Sequence, residues 1–149
     1  MIGRSYADRY RIEGQRRPRP HASAWKAWNI ETGEVCELNL LIGEICALPD
    51  AEKRFRRIMA TVSSITHPNI GQILDYGVDE DGGFYVATPW VEAPTVADLI
   101  LREGPFTVRR ALIMGVSIAR GLAALSDARL AHGGLTAQAI DHVGRDGEG

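Results

Sequence analysis

The sequence is poor in the features that mark specialised chemistry or location. It has only two cysteines, Cys36 and Cys46, with no histidine or acidic cluster at metal-ligand spacing beside them. That argues against a disulfide scaffold or a thiolate metal centre, and the two thiols read as reduced, structural and intracellular. No stretch approaches the ~18 uncharged apolar residues of a membrane span. The longest candidate, Ala111 to Leu125, is interrupted by Arg120. The first residues, Met1-Ile2-Gly3-Arg4-Ser5-Tyr6, lack the apolar centre of a secretion signal, so a cytoplasmic protein is expected. Charge of one sign is missing too: 17 basic against 19 acidic residues leave a net −2. Such a balance offers no bulk attraction for nucleic acid or an anionic membrane, and neither is expected as a partner.

What is present is an ordinary globular composition, 45% apolar and 24% charged over 149 residues, enough for one real core. Tyr10-Arg11-Ile12, Ser23 to Trp28 and Val35 to Leu41 read as strands, the last two joined by the turn Glu31-Thr32-Gly33-Glu34. In the third strand Cys36, Leu38 and Leu40 take one face, Glu37 and Asn39 the other. Trp25 and Trp28 are expected to pack on the sheet. The run Arg16-Arg17-Pro18-Arg19-Pro20 predicts an extended, exposed loop.

Asp50 is expected to cap a helix on which Phe55, Ile58, Met59, Val62 and Ile65 form the apolar stripe, with Lys53, Arg54, Arg56 and Arg57 opposite. Pro68 stops it. Residues 70–77 and 83–88 flank Asp79-Glu80-Asp81-Gly82, a hairpin signal. Thr95 begins a short helix to Leu101. Thr107 caps a long helix over Val108 to Asp127, striped by Leu112, Val116, Ala119, Leu122 and Leu125. The fold class is therefore α+β, with a five-stranded, mostly antiparallel sheet and a helical second part.

Several segments carry a resemblance in this order. Arg54-Phe55-Arg56-Arg57 is followed by Thr66-His67-Pro68-Asn69-Ile70 and Leu74-Asp75-Tyr76-Gly77. Then come Tyr85-Val86-Ala87-Thr88-Pro89-Trp90-Val91-Glu92 and, late in the chain, Leu130-Ala131-His132-Gly133-Gly134-Leu135. They resemble the regulatory helix, fourth strand, fifth strand with hinge, and catalytic loop in the N-terminal half of the bacterial Ser/Thr protein kinase family. The resemblance implies a kinase-like small lobe and hinge over residues 1–91. It implies a partial large lobe over 92–149, with the short helix, the long helix and a degenerate catalytic loop.

Beside that pattern the chemical groups are missing. By the resemblance, the phosphate-cradling glycines fall at Arg17, Arg19 and Ala22, and the phosphate-binding lysine at Leu38. The lysine's glutamate partner falls at Ile58, the catalytic aspartate at Gly134 and the metal-binding asparagine at Ala139. Phosphoryl transfer needs phosphates cradled, a metal held and a nucleophile oriented, and glycine carries no group to take a proton. Both ends of the lysine–glutamate pair being aliphatic suggests a Leu38–Ile58 contact that docks the helix on the sheet. His132 is expected to be structural and His67 a turn residue.

The reading is a catalytically inactive, truncated kinase-like domain, a pseudokinase, acting as a binding or regulatory module. The alternative is a Ser/Thr kinase fragment that binds ATP and works only within a longer or complemented chain. No metal and no cofactor is expected. Weak, metal-independent ATP binding stays open, through a remnant adenine pocket of Ala24, Cys36, Thr88, Pro89 and Val91. The stripe on the 108–127 helix is expected to need a cover, by self-association or by a protein partner.

Overall fold

The structure is a computed structural model that describes residues 2–3, 5–16, 22–41 and 43–143. Of the exposed loop expected over Arg16–Pro20, residues 17–20 lie outside the described residues, with the expected glycine positions Arg17 and Arg19; Arg16 is not exposed but half-buried, its N–H donating to Ala24 O at 2.8 Å. Two compact units are present, Met1–Thr66 with Ile70–Trp90, and His67–Asn69 with Val91–Gly149.

The first unit is a six-stranded antiparallel sheet in the order β1-β2-β3-β4-β6-β5. Its strands are β1 (Ser5–Tyr6), β2 (Tyr10–Gln15), β3 (Ala22–Asn29), β4 (Val35–Leu41), β5 (Asp75–Val78) and β6 (Phe84–Pro89). One strand more than expected is present, because two residues at the start fold back and pair Ser5 with Arg11 and Tyr6 with Tyr10. The β5 strand is shorter than expected: ahead of Asp75, the β6 ladder is continued by Leu74 N–H donating to Ala87 O at 2.8 Å. A short helix α1 (Gly43–Cys46), not foreseen from the sequence, precedes α2 (Ala51–Ser63).

The sheet curls until its early strands meet its last. Tyr10 of β2 and Tyr85 of β6 both donate their hydroxyls to Asp75 Oδ2 of β5, at 2.7 and 3.2 Å. Arg9 Nη1 reaches the same oxygen at 3.0 Å. Inside the curl lies the core: Tyr10, Ile12, Ala27, Cys36, Leu38, Leu40, Tyr85 and Ala87, with Tyr6 and Trp25 packed against it. A carboxylate at the rim of an apolar core needs partners, and the two hydroxyls and the guanidinium supply them. Burial, then the hydrogen bond to Asp75, pushes the Tyr10 hydroxyl far up in pKa. Gly77 is required for this closure, since a Cβ there would stand 2.8 Å from the Tyr85 ring.

In the second unit Thr95 starts α3 (Val96–Glu103) with a full capping box: its hydroxyl accepts from Asp98 N–H while Asp98 accepts from Thr95 N–H. The helix α4 (Val108–Asp127) follows, with the Thr107 hydroxyl accepting from Arg110 N–H at 3.3 Å. Residues 140–142 return to the start of α3. Val96 N–H donates to Ile140 O at 2.9 Å and His142 N–H to Pro94 O at 2.8 Å. Only Gly121 of α4 is buried. A Cβ there would lie 2.9 Å from Asn69 O, so glycine is what lets the helix backbone cross the His67-Pro68-Asn69 turn. That turn is held in shape by Asn69 N–H donating to His67 Nδ1 at 3.1 Å.

Candidate functional site

The site is built on the two faces of β4. Its register pairs Lys26, Glu37 and Thr88 across three strands, then Ala24, Asn39 and Val86. Trp25, Leu38 and Ala87 form the row between, and Ala27, Cys36 and Pro89 the row beyond Lys26, Glu37 and Thr88. Successive strand residues point to opposite sides. One face therefore carries Lys26, Glu37, Thr88, Ala24, Asn39 and Val86. The other carries Cys36, Leu38 and Ala87 into the curl.

The helix α2 decides which face matters. Its one buried residue, Phe55, stacks on Phe84 at 4.8 Å between ring centroids and meets Tyr76 edge-on at 6.1 Å. Tyr76 is paired with Val86, and Phe84 is two residues from Val86 along β6. So α2 packs on the Glu37–Asn39 face. Leu38 is 0% exposed within the core on the far side, while Ile58 is 40% exposed. The expected Leu38–Ile58 contact is therefore not what docks the helix; an aromatic stack centred on Phe55 does. Asp50 stands at the N-cap, but in a left-handed conformation (φ 55°) with no hydrogen bond from its side chain to the first turn.

The same alternation divides the residues expected to form an adenine pocket. Ala24 and Thr88 share the α2 face, whereas Cys36 is buried inside the curl, on the face of Pro89. Burial first, then the charge on Asp75, pushes the Cys36 thiol up to about 11, the behaviour of an inert core cysteine. Val91 begins the next stretch of the second unit.

On the α2 face stands a group that is not among the expected site residues. Glu37 is 2% exposed, and its carboxylate is held by the Arg16 guanidinium. The carbon at the centre of that guanidinium lies 4.9 Å from the Trp90 ring centroid, and Lys26 Nζ lies 5.3 Å from it. Arg16 reaches this face because of a register shift between Ile12 and Gly14. The shift puts Gly14, rather than Glu13, opposite Lys26 and changes the parity of everything after it. The legible signal was Glu37 itself, a carboxylate in a strand flanked on both sides. Beside it, Asn39 Oδ1 is buried without a hydrogen-bond partner among the described residues.

In the second unit the expected catalytic loop is an exposed turn. Gly134 N–H donates to His132 Nδ1 at 3.3 Å, and both glycines, 133 and 134, face solvent. Ala139 closes a single 3-10 turn over Ala137–Ala139. From His132 to Ile140 the chain has no carboxylate. The first one, Asp141, belongs to the residue that bridges to Thr95. Among the described residues no three His, Cys, Asp or Glu side chains gather as a metal site, and no helix is long and apolar enough to cross a membrane. Along α4, Leu112 is 64% and Val116 49% exposed, and with Ile113, Ser117 and Arg120 they line a shallow groove of about 280 Å³.

Known proteins place this geometry. No protein-family model matches the sequence. The serine/threonine-protein kinase pkn3 of Myxococcus xanthus is 27% identical over 127 residues, 85% of this chain and 23% of that protein. The kinase PrkC of Bacillus subtilis is 33% identical over 94 residues, 62% of this chain and 14% of that protein. The chain thus spans less than a quarter of the length of either relative. Among solved structures, a variant of the Mycobacterium tuberculosis PknI kinase domain superposes with a TM-score of 0.88 at 17% identity, covering 98% of this chain and 58% of that one. The chain carries the small lobe and the start of the large lobe of the protein-kinase fold, and its homologues are bacterial serine/threonine protein kinases.

Proposed function

We propose that this chain is a catalytically inactive kinase-like module that acts by binding. The observation that carries the reading is the loop from His132 to Ile140, which offers an amide–imidazole hydrogen bond and no carboxylate. A protein kinase needs an aspartate there to orient the substrate hydroxyl. The register of β4 supports it further. Asn39, rather than Leu38, shares a face with α2 and stands where a kinase would hold its phosphate-binding lysine, and an amide is no substitute for an ammonium. On α2 no acid faces it; Ile58 stands where the partner glutamate is expected. The Ala24, Glu37 and Thr88 face of the sheet then corresponds to the surface on which a kinase seats its purine.

Incubation with radiolabelled ATP and magnesium, with a basic protein as acceptor, is expected to transfer no phosphate above a protein-free blank. Transfer that survives purification to homogeneity would sink the reading and restore the alternative of a kinase fragment. The partner is a protein, and the surface is the exposed stripe of α4 around Leu112 and Val116. A second copy or another polypeptide fits equally. Sedimentation at micromolar concentration separates the two: self-association raises the mass, whereas a clean monomer leaves the foreign partner. The setting is the cytoplasm, supported by the two free cysteines.

A further inference from the structure

We propose that the Arg16–Glu37 pair is a built-in plug that keeps purines off the α2 face of the sheet. The inference rests on assigning that face as the nucleotide-binding one. Glu37 lies in the middle of the face, with Lys26 and Thr88 on its own row and Ala24 on the next. Ala24 and Thr88 are small and leave room for a flat ring on this face; the long side chains of Glu37 and Lys26 stand in that room. At 2% exposure its carboxylate can remain only with a charged partner, and Arg16 supplies it. The guanidinium is in turn fixed over Trp90, whose ring also receives Lys26. Two long charged side chains and an indole thus take up the space over small residues. A purine would have to expel Arg16 and leave the Glu37 carboxylate buried against its ring.

The register shift after Ile12 makes the arrangement specific. Without it, alternation would point Gln15, not Arg16, to the side of Glu37. The plug is thus built by two separate choices in the chain, an acid in β4 and an extra residue in β2. The Leu38 side has no part in it.

Glu37→Ala removes the acid from the middle of the face and, with it, the ion pair that draws Arg16 across it. The test is isothermal titration of the whole chain with adenosine and, separately, with ATP without metal. Unmodified protein is expected to bind neither at millimolar concentration. Glu37→Ala is expected to bind adenosine at least about tenfold more tightly than the parent, and ATP similarly if the base carries the recognition. Glu80→Ala, in the exposed turn between β5 and β6, is the control and should bind nothing. If Glu37→Ala does not fold by circular dichroism, the Arg16→Ala, Glu37→Ala double variant takes its place, since it leaves neither charge alone.

Binding by the unmodified chain as tight as by the variant overturns the plug. So does a folded variant that binds no adenosine. Failure of both variants to fold also overturns it, because the pair is then a structural one. Phosphate transfer from ATP by the unmodified chain removes the inactive reading and overturns the plug with it, whereas a folded Glu37→Ala that binds no adenosine overturns the plug alone.

Discussion

The two units solve the burial problem in opposite ways. The sheet unit closes on itself: its curl surrounds Tyr10, Ile12, Leu38 and Tyr85, and one carboxylate, Asp75, joins the first strands to the last. The helical unit leaves its longest element open, with Gly121 the single buried residue of α4 and a stripe of leucine and valine in solvent. A face that is covered is fixed by shape, and substitutions there cost stability. A face that is open costs little to change and affects association instead. The lesson is that the curl and the helix crossing are each fixed by close contacts, at Gly77 and at Gly121, that the exposed stripe of α4 does not share.

The comparison is broken most severely at Phe55. Phe55→Ala removes the stack on Phe84 and the edge contact with Tyr76, and should cost about 3–5 kcal/mol in urea unfolding. Ile58→Ala, on the half-exposed side of the same helix, should cost under about 1 kcal/mol; equal losses would return the docking role to Ile58. Next comes Asp75→Ala, which strands the hydroxyls of Tyr10 and Tyr85 and should cost about 2–3 kcal/mol. In the second unit Gly121→Ala should cost about 1–3 kcal/mol, because Asn69 backbone rather than a flexible side chain is what the new methyl meets. No loss there would mean that α4 does not cross the turn so closely.

Alkaline pH gives a gentler probe confined to the sheet. The Cys36 thiol is raised from 9.0 to about 11, and Tyr6, Tyr10 and Tyr85 are raised as well, mainly by burial. A folded-state pKa raised above the unfolded one favours the protonated, neutral form. Its stabilisation is full below about pH 9 and declines as pH rises towards about 11. The urea midpoint is therefore expected to hold near neutrality and fall above pH 9. The smallest stability effect belongs to Leu112→Ser with Val116→Ser, within about 0.5 kcal/mol. Its readout is instead the loss of any self-association seen by sedimentation. A large stability change there would mean that the stripe is covered within the chain.

Particular residues mark how far the sequence could be read. The 108–127 helix and its Thr107 cap are placed by periodicity and a start signal alone, as is the Asp79–Gly82 hairpin, because local chemistry specifies them. The alternation of Cys36 and Leu38 against Glu37 and Asn39 was legible as well. What the alternation could not say was which side receives α2, since both sides of a central strand are covered. A resemblance aligned without that knowledge set Leu38 in the lysine position and Cys36 in the pocket, and the register puts both inside the curl. Nor could it foresee that Phe55, not Ile58, is the anchor, because both lie on the apolar stripe.

The sequence by itself determined the elements, their order and the family they resemble, for these follow from period, caps and turn residues acting over a few positions. It also determined that residues 132–140 hold no carboxylate, since no fold can give glycine an acid. Tertiary structure alone decided the partners. It joined Asp75 to Tyr10 and Tyr85 across the curl, set Gly121 on Asn69, and brought Arg16 to Glu37 through one extra residue in β2. Those contacts depend on strand parity and curvature, which are properties of the assembled sheet rather than of any stretch of chain.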